Sequence, residues 1–377
     1  MTEAASLTPV NLITGFLGSG KTTLLQRLLR DPALADTAVL INEFGEVGLD
    51  HHLLERIDET TVLLQSGCLC CTIRGELSSA IKDLHARREG GRIPFFRRLV
   101  IESTGLADPF PILSTVQADP VLKHHFRLGN VIATVDAVNG GIQLARQRES
   151  ARQVAVADRL VLTKTDLADK RTTETVISDV RQLNPSAPLW RAPYDPLDAE
   201  ALLSHGTFEL SDKSEMAQRW FADEVKARWR RYGNPLDGLN HSTGGRLSGA
   251  GEVHGHNPSR HCDGIHAFAL VFDKPLDWTA FGIWLTMLLN RHGTAVLRVK
   301  GILNVAGSPA PVAVHGVQHL VHPPVHMTAW PDEDRRSRLV FIVDSLDRAL
   351  IERSLSAFLQ SNGLPDVTTR ACPVSVS

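Results

Sequence analysis

Cys68, Cys70 and Cys71 sit in the stretch LLQSGCLCCTIRGEL, so three of the chain's five cysteines fall within four positions. Thiolates are good ligands for borderline and soft divalent ions, and zinc prefers four donors in a tetrahedron. A C-x-C-C run supplies three donors and leaves the fourth to another group or to an incoming ligand. A closed structural zinc site more typically has four Cys or His in paired C-x2-C form, so this spacing points to an exchangeable ion. In a reducing compartment such a cluster binds metal or does redox chemistry and does not form a disulfide framework. Cys262 and Cys372 stand alone and read as free thiols.

Some fifty residues earlier, GFLGSGKT from Gly15 to Thr22 matches G-x-x-x-x-G-K-[ST] and lies between a strand-like and a helix-like run, the context such a loop requires. Backbone N–H groups from Gly18 through Ser19 and Gly20 to Lys21 can wrap phosphates at a helix N-terminus, with Lys21 adding charge at the outer phosphates. Thr22 is placed to offer its hydroxyl to Mg²⁺, and Thr23 follows in the same first turn.

Two further signals follow in the order a P-loop protein needs. Glu102 ends the apolar run RRLVIE, where an acidic residue commonly holds Mg²⁺ directly or through water; an N-cap or ordinary strand-end carboxylate is the plainer alternative. TKTD, Thr163 to Asp166, follows RLVL and resembles the [NT]-K-x-D guanine signature. Asp166 can accept from the ring N–H and exocyclic amine of guanine, a pattern adenine cannot offer, while Lys164 can lay its stem on the purine. Alone, T-K-x-D also fits a surface turn. After a P-loop and in this strand order it favours GTP over ATP.

Positioning these groups requires an α/β domain. VNLITG, AVLINE, RRLVIEST, NVIATVDAV, DRLVLTKTD and APLWRA read as strands, several apolar throughout as in a mostly parallel sheet covered on both faces. Segments near 22–30, 75–88, 144–157 and 171–183 read as helices. We place this P-loop domain, with its C-x-C-C, at 1–195. Residues 196–262 read as an insert and a Gly- and His-rich mobile linker, 263–358 as a smaller α+β domain, and 359–377 as a C-terminal tail. In the second domain HAFALVFD, AVLRVKGILNV, PVAVHGVQHLVH and RLVFIVD read as strands, with helices at DWTAFGIWLTMLLNRHG and LDRALIERSLSAFL.

Composition narrows the classes. With 377 residues, 43% hydrophobic and 22% charged at a formal net charge of −2, the chain offers no electrostatic argument for nucleic acid or an anionic membrane. RWRRYG at 228–233 is an isolated basic run that reads as a solvated helix end. No stretch approaches the ~20 apolar residues of a membrane span and MTEAASLTPV lacks the regions of a signal peptide, so the expected location is cytoplasmic.

Taken together, GFLGSGKTTLL, NEFGEVGLD, GCLCC, ESTGLADP and TKTD, followed by VLRVKGIL and VHGVQH, resemble the CobW-type metallochaperone GTPases, relatives of the urease and hydrogenase nickel-insertion GTPases. The resemblance spans about 1–195 and 262–358. It implies a slow GTPase that binds a transition metal, zinc or alternatively cobalt, at Cys68, Cys70 and Cys71 and passes it to a client metalloprotein. Its cofactors are then GTP and Mg²⁺. One departure concerns the metal site: some relatives have Glu immediately before the Asn of NEFGE, where this chain has Ile41, leaving Glu43 and Glu46 as nearby carboxylates.

The C-x-C-C and NEFGE lie between the P-loop and Glu102, where nucleotide-sensing segments occur, so order set by the γ-phosphate and Mg²⁺ can pass to the thiols. Two other readings stay open: a metal-responsive GTP-binding regulator or scaffold, and a P-loop small-molecule kinase, which the thiols and guanine motif do not favour. The linker tract HGHNPSRHC, with His254, His256, His261 and Cys262, either captures metal loosely or is simply solvated. His315, His319, His322 and His326 read as structural, with His315 and His319 expected on one strand face. Trp278, Trp284 and Trp330 are expected in the small domain's core.

Overall fold

The computed structural model describes residues 7–43, 61–65, 72–195, 197–203 and 264–361. The first domain is built on a seven-stranded parallel sheet in the order β3-β2-β4-β1-β5-β6-β7. Its strands are β1 (Thr8–Gly15), β2 (Thr37–Glu43), β3 (Thr61–Gln65), β4 (Arg98–Glu102), β5 (Phe126–Asp136), β6 (Arg159–Thr163) and β7 (Leu189–Arg191). Every neighbouring pair is parallel, so the ends of β1, β4, β5 and β6 share one carboxyl edge, the edge where open α/β sheets bind ligands.

Helices α1 (Lys21–Leu29), α2 (Thr72–Glu89), α3 (Pro109–Ala118), α4 (Pro120–His125), α5 (Gly140–Arg146), α6 (Arg148–Val156), α7 (Lys170–Leu183) and α8 (Ala199–Leu203) complete this domain. The sequence reading misses α3 and α4 because PFPILSTVQADP carries three prolines, which read as breakers. Here Asp108 and Asp119 cap the two helices with proline in the first turn, where its missing N–H costs nothing. The single helix expected at 144–157 is two, α5 and α6, joined at Gln147, whose backbone is extended. On one sheet face Ile13, Ile132 and Val161 pack with Leu24, Leu25 and Leu28 of α1 and Leu202 and Leu203 of α8.

The second domain is an antiparallel sheet in the order β11-β10-β9-β13-β8, with β12 also paired to β10. These strands are β8 (Ile265–Phe272), β9 (Val296–Leu303), β10 (Val312–Val317), β11 (Leu320–Val321), β12 (Val325–His326) and β13 (Ser337–Asp344). Helices α9 (Trp278–His292) and α10 (Arg348–Ser361) cover one face, sealing Phe268, Phe281, Trp284, Leu288, Phe341 and Leu355. The other face meets the first domain: Ile265, Ala267, Leu297, Val317 and Ile342 join the same apolar cluster as Leu12, Val154 and Leu160. Sandwiched this way, β9 is buried at every position, Arg298 and Lys300 included.

Two expectations for this domain are corrected. His315 and His319 do not share a strand face, because β10 ends at Val317 and Gln318 turns the chain with φ 51. His315 instead stacks on His322, ring centroids 4.4 Å apart. Of the tryptophans, Trp284 is buried and Trp330 packs against a small cluster around Ile302, whereas Trp278 opens α9 and is 37% exposed. The linker histidines, Cys262, Cys372 and the 228–233 run lie outside the described residues. No helix among the described residues is long and apolar enough to cross a membrane.

Candidate nucleotide and metal site

The P-loop leaves β1 at Gly15 and enters α1 at Lys21. Gly15 is required by contact: a Cβ there would stand 2.3 Å from the Thr134 hydroxyl of β5. Gly18 and Gly20 adopt φ of 70 and 87, the left-handed region that favours glycine and turns successive N–H groups inward. The α1 N-cap is Gly20, which has no side chain to cap the first amides, and the first turn carries no acidic side chain. That helix end is suited to phosphate. Lys21 is largely buried and its Nζ donates to the Phe16 carbonyl at 3.2 Å, which keeps the ammonium over the loop.

Ser19 is completely buried and its hydroxyl pairs with Thr134 Oγ1 at 2.7 Å. Thr163 Oγ1 donates to the Ser19 carbonyl at 2.7 Å and to Val135 O at 3.1 Å, tying the guanine motif to the P-loop through one hydroxyl. Thr23 is exposed on the outer side of the turn.

Thr22 Oγ1 donates to Glu102 Oε1 at 2.6 Å, across eighty residues. Glu102 is only 4% exposed at the end of β4. A hydroxyl and a carboxylate brought together beside a P-loop form a hard-oxygen donor set, the kind that suits Mg²⁺. The alternative of Glu102 as an N-cap does not hold, since α3 is capped by Asp108.

Lys164 has φ 56, and its Nζ donates to Asp136 Oδ2 at 2.8 Å. Asp136 is buried at the end of β5; its Oδ1 accepts from the Val138 and Asn139 amides and its Oδ2 also from the Asn139 side chain. Burial pushes this carboxyl up, but the hydrogen bonds from Lys164 and Asn139 outweigh it and hold Asp136 below the usual carboxylate range. On the far side, Thr165 Oγ1 donates to the Ala192 carbonyl at 2.6 Å. The 163–166 turn is thus clamped between the ends of β5 and β7, leaving Asp166 exposed. Thr134 and Asp136 carry no motif of their own; ATVDAV reads only as a strand, and their roles arise from the strand pairing Asp136↔Thr163.

The three cysteines lie outside the described residues, as does Glu46, and nothing is described of the Glu43 side chain. The flanking positions are informative. Gln65 closes β3, opposite Glu43 at the carboxyl edge, and Thr72 opens α2. Ser78 of α2 donates to Asp119 at 2.6 Å and Lys82 pairs with the same carboxylate at 2.5 Å. These bonds lock α2 to the α3–α4 corner and hold Asp119 ionised well below its ordinary range.

Comparison with known proteins agrees with both domains. A family model described as CobW/HypB/UreG, nucleotide-binding domain, matches residues 9–191, and one described as cobalamin synthesis protein CobW C-terminal domain matches 265–359. The zinc chaperone YjiA of Escherichia coli is 32% identical over 88% of this chain and 93% of its own length. The zinc chaperone CobW of Pseudomonas aeruginosa is 30% identical over 93% and 91% respectively. The crystal structure of Zn(II)-bound YjiA GTPase from E. coli matches with a TM-score of 0.65 at 27% identity, covering 94% of this chain and 99% of that one. With a P-loop, a Thr22–Glu102 pair and a clamped T-K-x-D on one sheet edge, followed by the matching second domain, the chain belongs to the CobW/HypB/UreG family.

Proposed function

We propose that this protein is a GTP-hydrolysing metallochaperone that binds zinc at Cys68, Cys70 and Cys71 and delivers it to a client metalloprotein, with the nucleotide state setting metal affinity. The observation that carries the reading is the shared carboxyl edge: Gly15, Glu102 and Thr163 end strands of one parallel sheet there, and Gln65, three residues before the first cysteine, ends another. A change in nucleotide at that edge can therefore pass to the strand end that precedes the C-x-C-C in the chain.

Each residue has a distinct task. Backbone amides of 18–21 and Lys21 hold the phosphates, Asp166 selects guanine, and Lys164, anchored by Asp136, supports the base. Thr22 and Glu102 would hold Mg²⁺, which when bound supplies positive charge to the β- and γ-phosphoryl oxygens. Zinc is the preferred cargo because relatives of similar length are named zinc chaperones, and three thiolates suit it; cobalt accepts the same donors. Turnover is expected to be slow without a partner, since sequence identifies no arginine finger.

The test is a competitive Zn²⁺ and Co²⁺ titration of the full chain with Mg²⁺ and either GDP or a non-hydrolysable GTP analogue, beside a Cys68→Ser/Cys70→Ser/Cys71→Ser variant. Tighter binding with the analogue, lost in the variant, supports a nucleotide-gated transfer site. A hundredfold change needs about 2.7 kcal/mol of coupling, within the usual allosteric range. Equal affinity in both nucleotide states would overturn the gating and favour a metal-responsive regulator.

A further inference from the structure

The segment between Glu102 and α3 is held from four directions. At its start Ser103 N donates to Ile13 O at 2.9 Å and the Ser103 hydroxyl donates to Thr14 Oγ1 at 3.0 Å, binding it to β1. In its middle, Gly105 lies so close to the P-loop that a Cβ would stand 2.6 Å from the Leu17 backbone nitrogen. From α6, the buried Gln153 side chain donates to Gly105 O at 3.1 Å and Ala107 O at 3.0 Å.

The fourth hold is Arg152, also on α6, which the second domain braces. Arg152, beside Gln153, donates to Asp108 Oδ2 at 3.2 Å and to the Thr294 carbonyl at 3.2 Å, and its Nε lies 3.6 Å from Asp344. Asp108 is the N-cap of α3, so one guanidinium bridges the end of this segment and two points of the second domain. Arg148 pairs with the same Asp344 at 2.7 Å and, among the described residues, bonds to none of 103–108, which separates docking of the domains from support of the segment.

In P-loop GTPases, segments at this place respond to the γ-phosphate, and groups that are held in advance of the reaction lower its barrier. We propose that Gln153 and Arg152 are positioning residues for GTP hydrolysis, Gln153 holding the 103–108 segment on the P-loop and Arg152 making the second domain part of that support. This deepens the GTPase reading and rests on it. The guanine clamp at 163–166 and the amides of 18–21 are separate from these contacts. Diphosphate and base binding are consequently insulated, and the second domain acts on turnover.

The experiment is steady-state GTP hydrolysis with GDP binding and thermal melting, on the full chain, for wild type and the variants Gln153→Met, Arg152→Ala, Asp344→Asn and Arg148→Ala. Gln153→Met keeps size and removes both donors. The expected result is a kcat about tenfold lower for Gln153→Met, and severalfold lower for Arg152→Ala and Asp344→Asn, with the GDP Kd within about twofold of wild type. Arg152→Ala/Asp344→Asn together should fall no further than Arg152→Ala alone, and Arg148→Ala should keep the wild-type kcat. Unchanged kcat in folded Gln153→Met and Arg152→Ala, GDP affinity that falls in step with kcat, or an Arg148→Ala loss equal to that of Arg152→Ala would each overturn the proposal. If Gln153→Met does not fold, the Arg152 and Asp344 variants, on a partly exposed side chain and at the domain boundary, decide it. Absence of GTP turnover in the wild type would instead remove the GTPase reading itself.

Discussion

Asp158, at the foot of β6, and Arg298, on β9, form an ion pair across the domain boundary with 3% and 1% of their surfaces exposed. Arg298 also donates to the Val156 carbonyl, Lys300 Nζ lies 3.3 Å from Asp158, and Val131 N donates to the other carboxylate oxygen at 3.0 Å. A buried pair adds little net stability over an apolar one of the same shape, but removing one partner strands a charge. Asp158→Asn should therefore destabilise the protein by about 3–5 kcal/mol in a urea melt. A loss below about 1 kcal/mol would show that the domain boundary opens to water in the folded protein.

The same network predicts how stability varies with pH. Burial, aided by repulsion from Arg298, lowers the Lys300 ammonium from the ordinary lysine range to about 7. At pH below that value Lys300 is protonated in both states and its burial penalty is fully present. Between about 7 and the free-lysine value the unfolded chain binds a proton that the folded chain does not, so stability rises with pH, by at most about 1.4 kcal/mol per unit. Burial first, and then neighbouring His322 and Arg298, also lower His315; His322 is lowered too, chiefly by burial. Their contribution falls as pH drops below the ordinary histidine range. Urea melts between about pH 7 and 9 should show the rise in wild type and a flatter curve in Lys300→Met; parallel curves would refute the assignment.

Base selection should turn on Asp166, which the clamp leaves exposed. Asp166→Asn replaces an acceptor by a group that also donates, which mismatches the guanine amine and suits xanthine. Fluorescent-nucleotide binding is expected to lose roughly a hundredfold in GDP affinity and to gain for XDP. Retained GDP preference would mean that guanine is read elsewhere.

Asp136→Asn keeps the shape and the acceptor for the Val138 and Asn139 amides while removing the charge that holds Lys164. The expected outcome is a GDP and GTP affinity about three- to tenfold weaker, by roughly the strength of one charge-assisted bond, with no further loss when Lys164→Met is added. Additive losses would show that Asp136 acts on the backbone turn and not through Lys164.

Legibility followed chain distance. The P-loop, Glu102 and T-K-x-D were readable because each is a contiguous device: a ring of consecutive amides, a strand-end carboxylate, a tight turn. Strands such as β6 and β2 announced themselves by the short apolar runs LVL and AVLI at their centres. α3 and α4 were not readable, since proline signals a break or a helix start with equal force and only the neighbouring Asp108 and Asp119 caps decide. His315 and His319 shared a face by counting, yet the Gln318 turn fell between them.

The residue order alone therefore supplied a P-loop, a strand-end carboxylate and a T-K-x-D in the sequence that a P-loop GTPase needs, and three clustered thiols. Only the tertiary structure decided how they are supported. Lys164 and Asp136 are 28 residues apart, Gln153 and Gly105 48, and Arg298 and Asp158 140. Such pairs depend on sheet register and on which face of a helix meets which strand. Hydrophobic periodicity specifies that a face is buried and not its partner, so the partner emerges only when all elements pack at once.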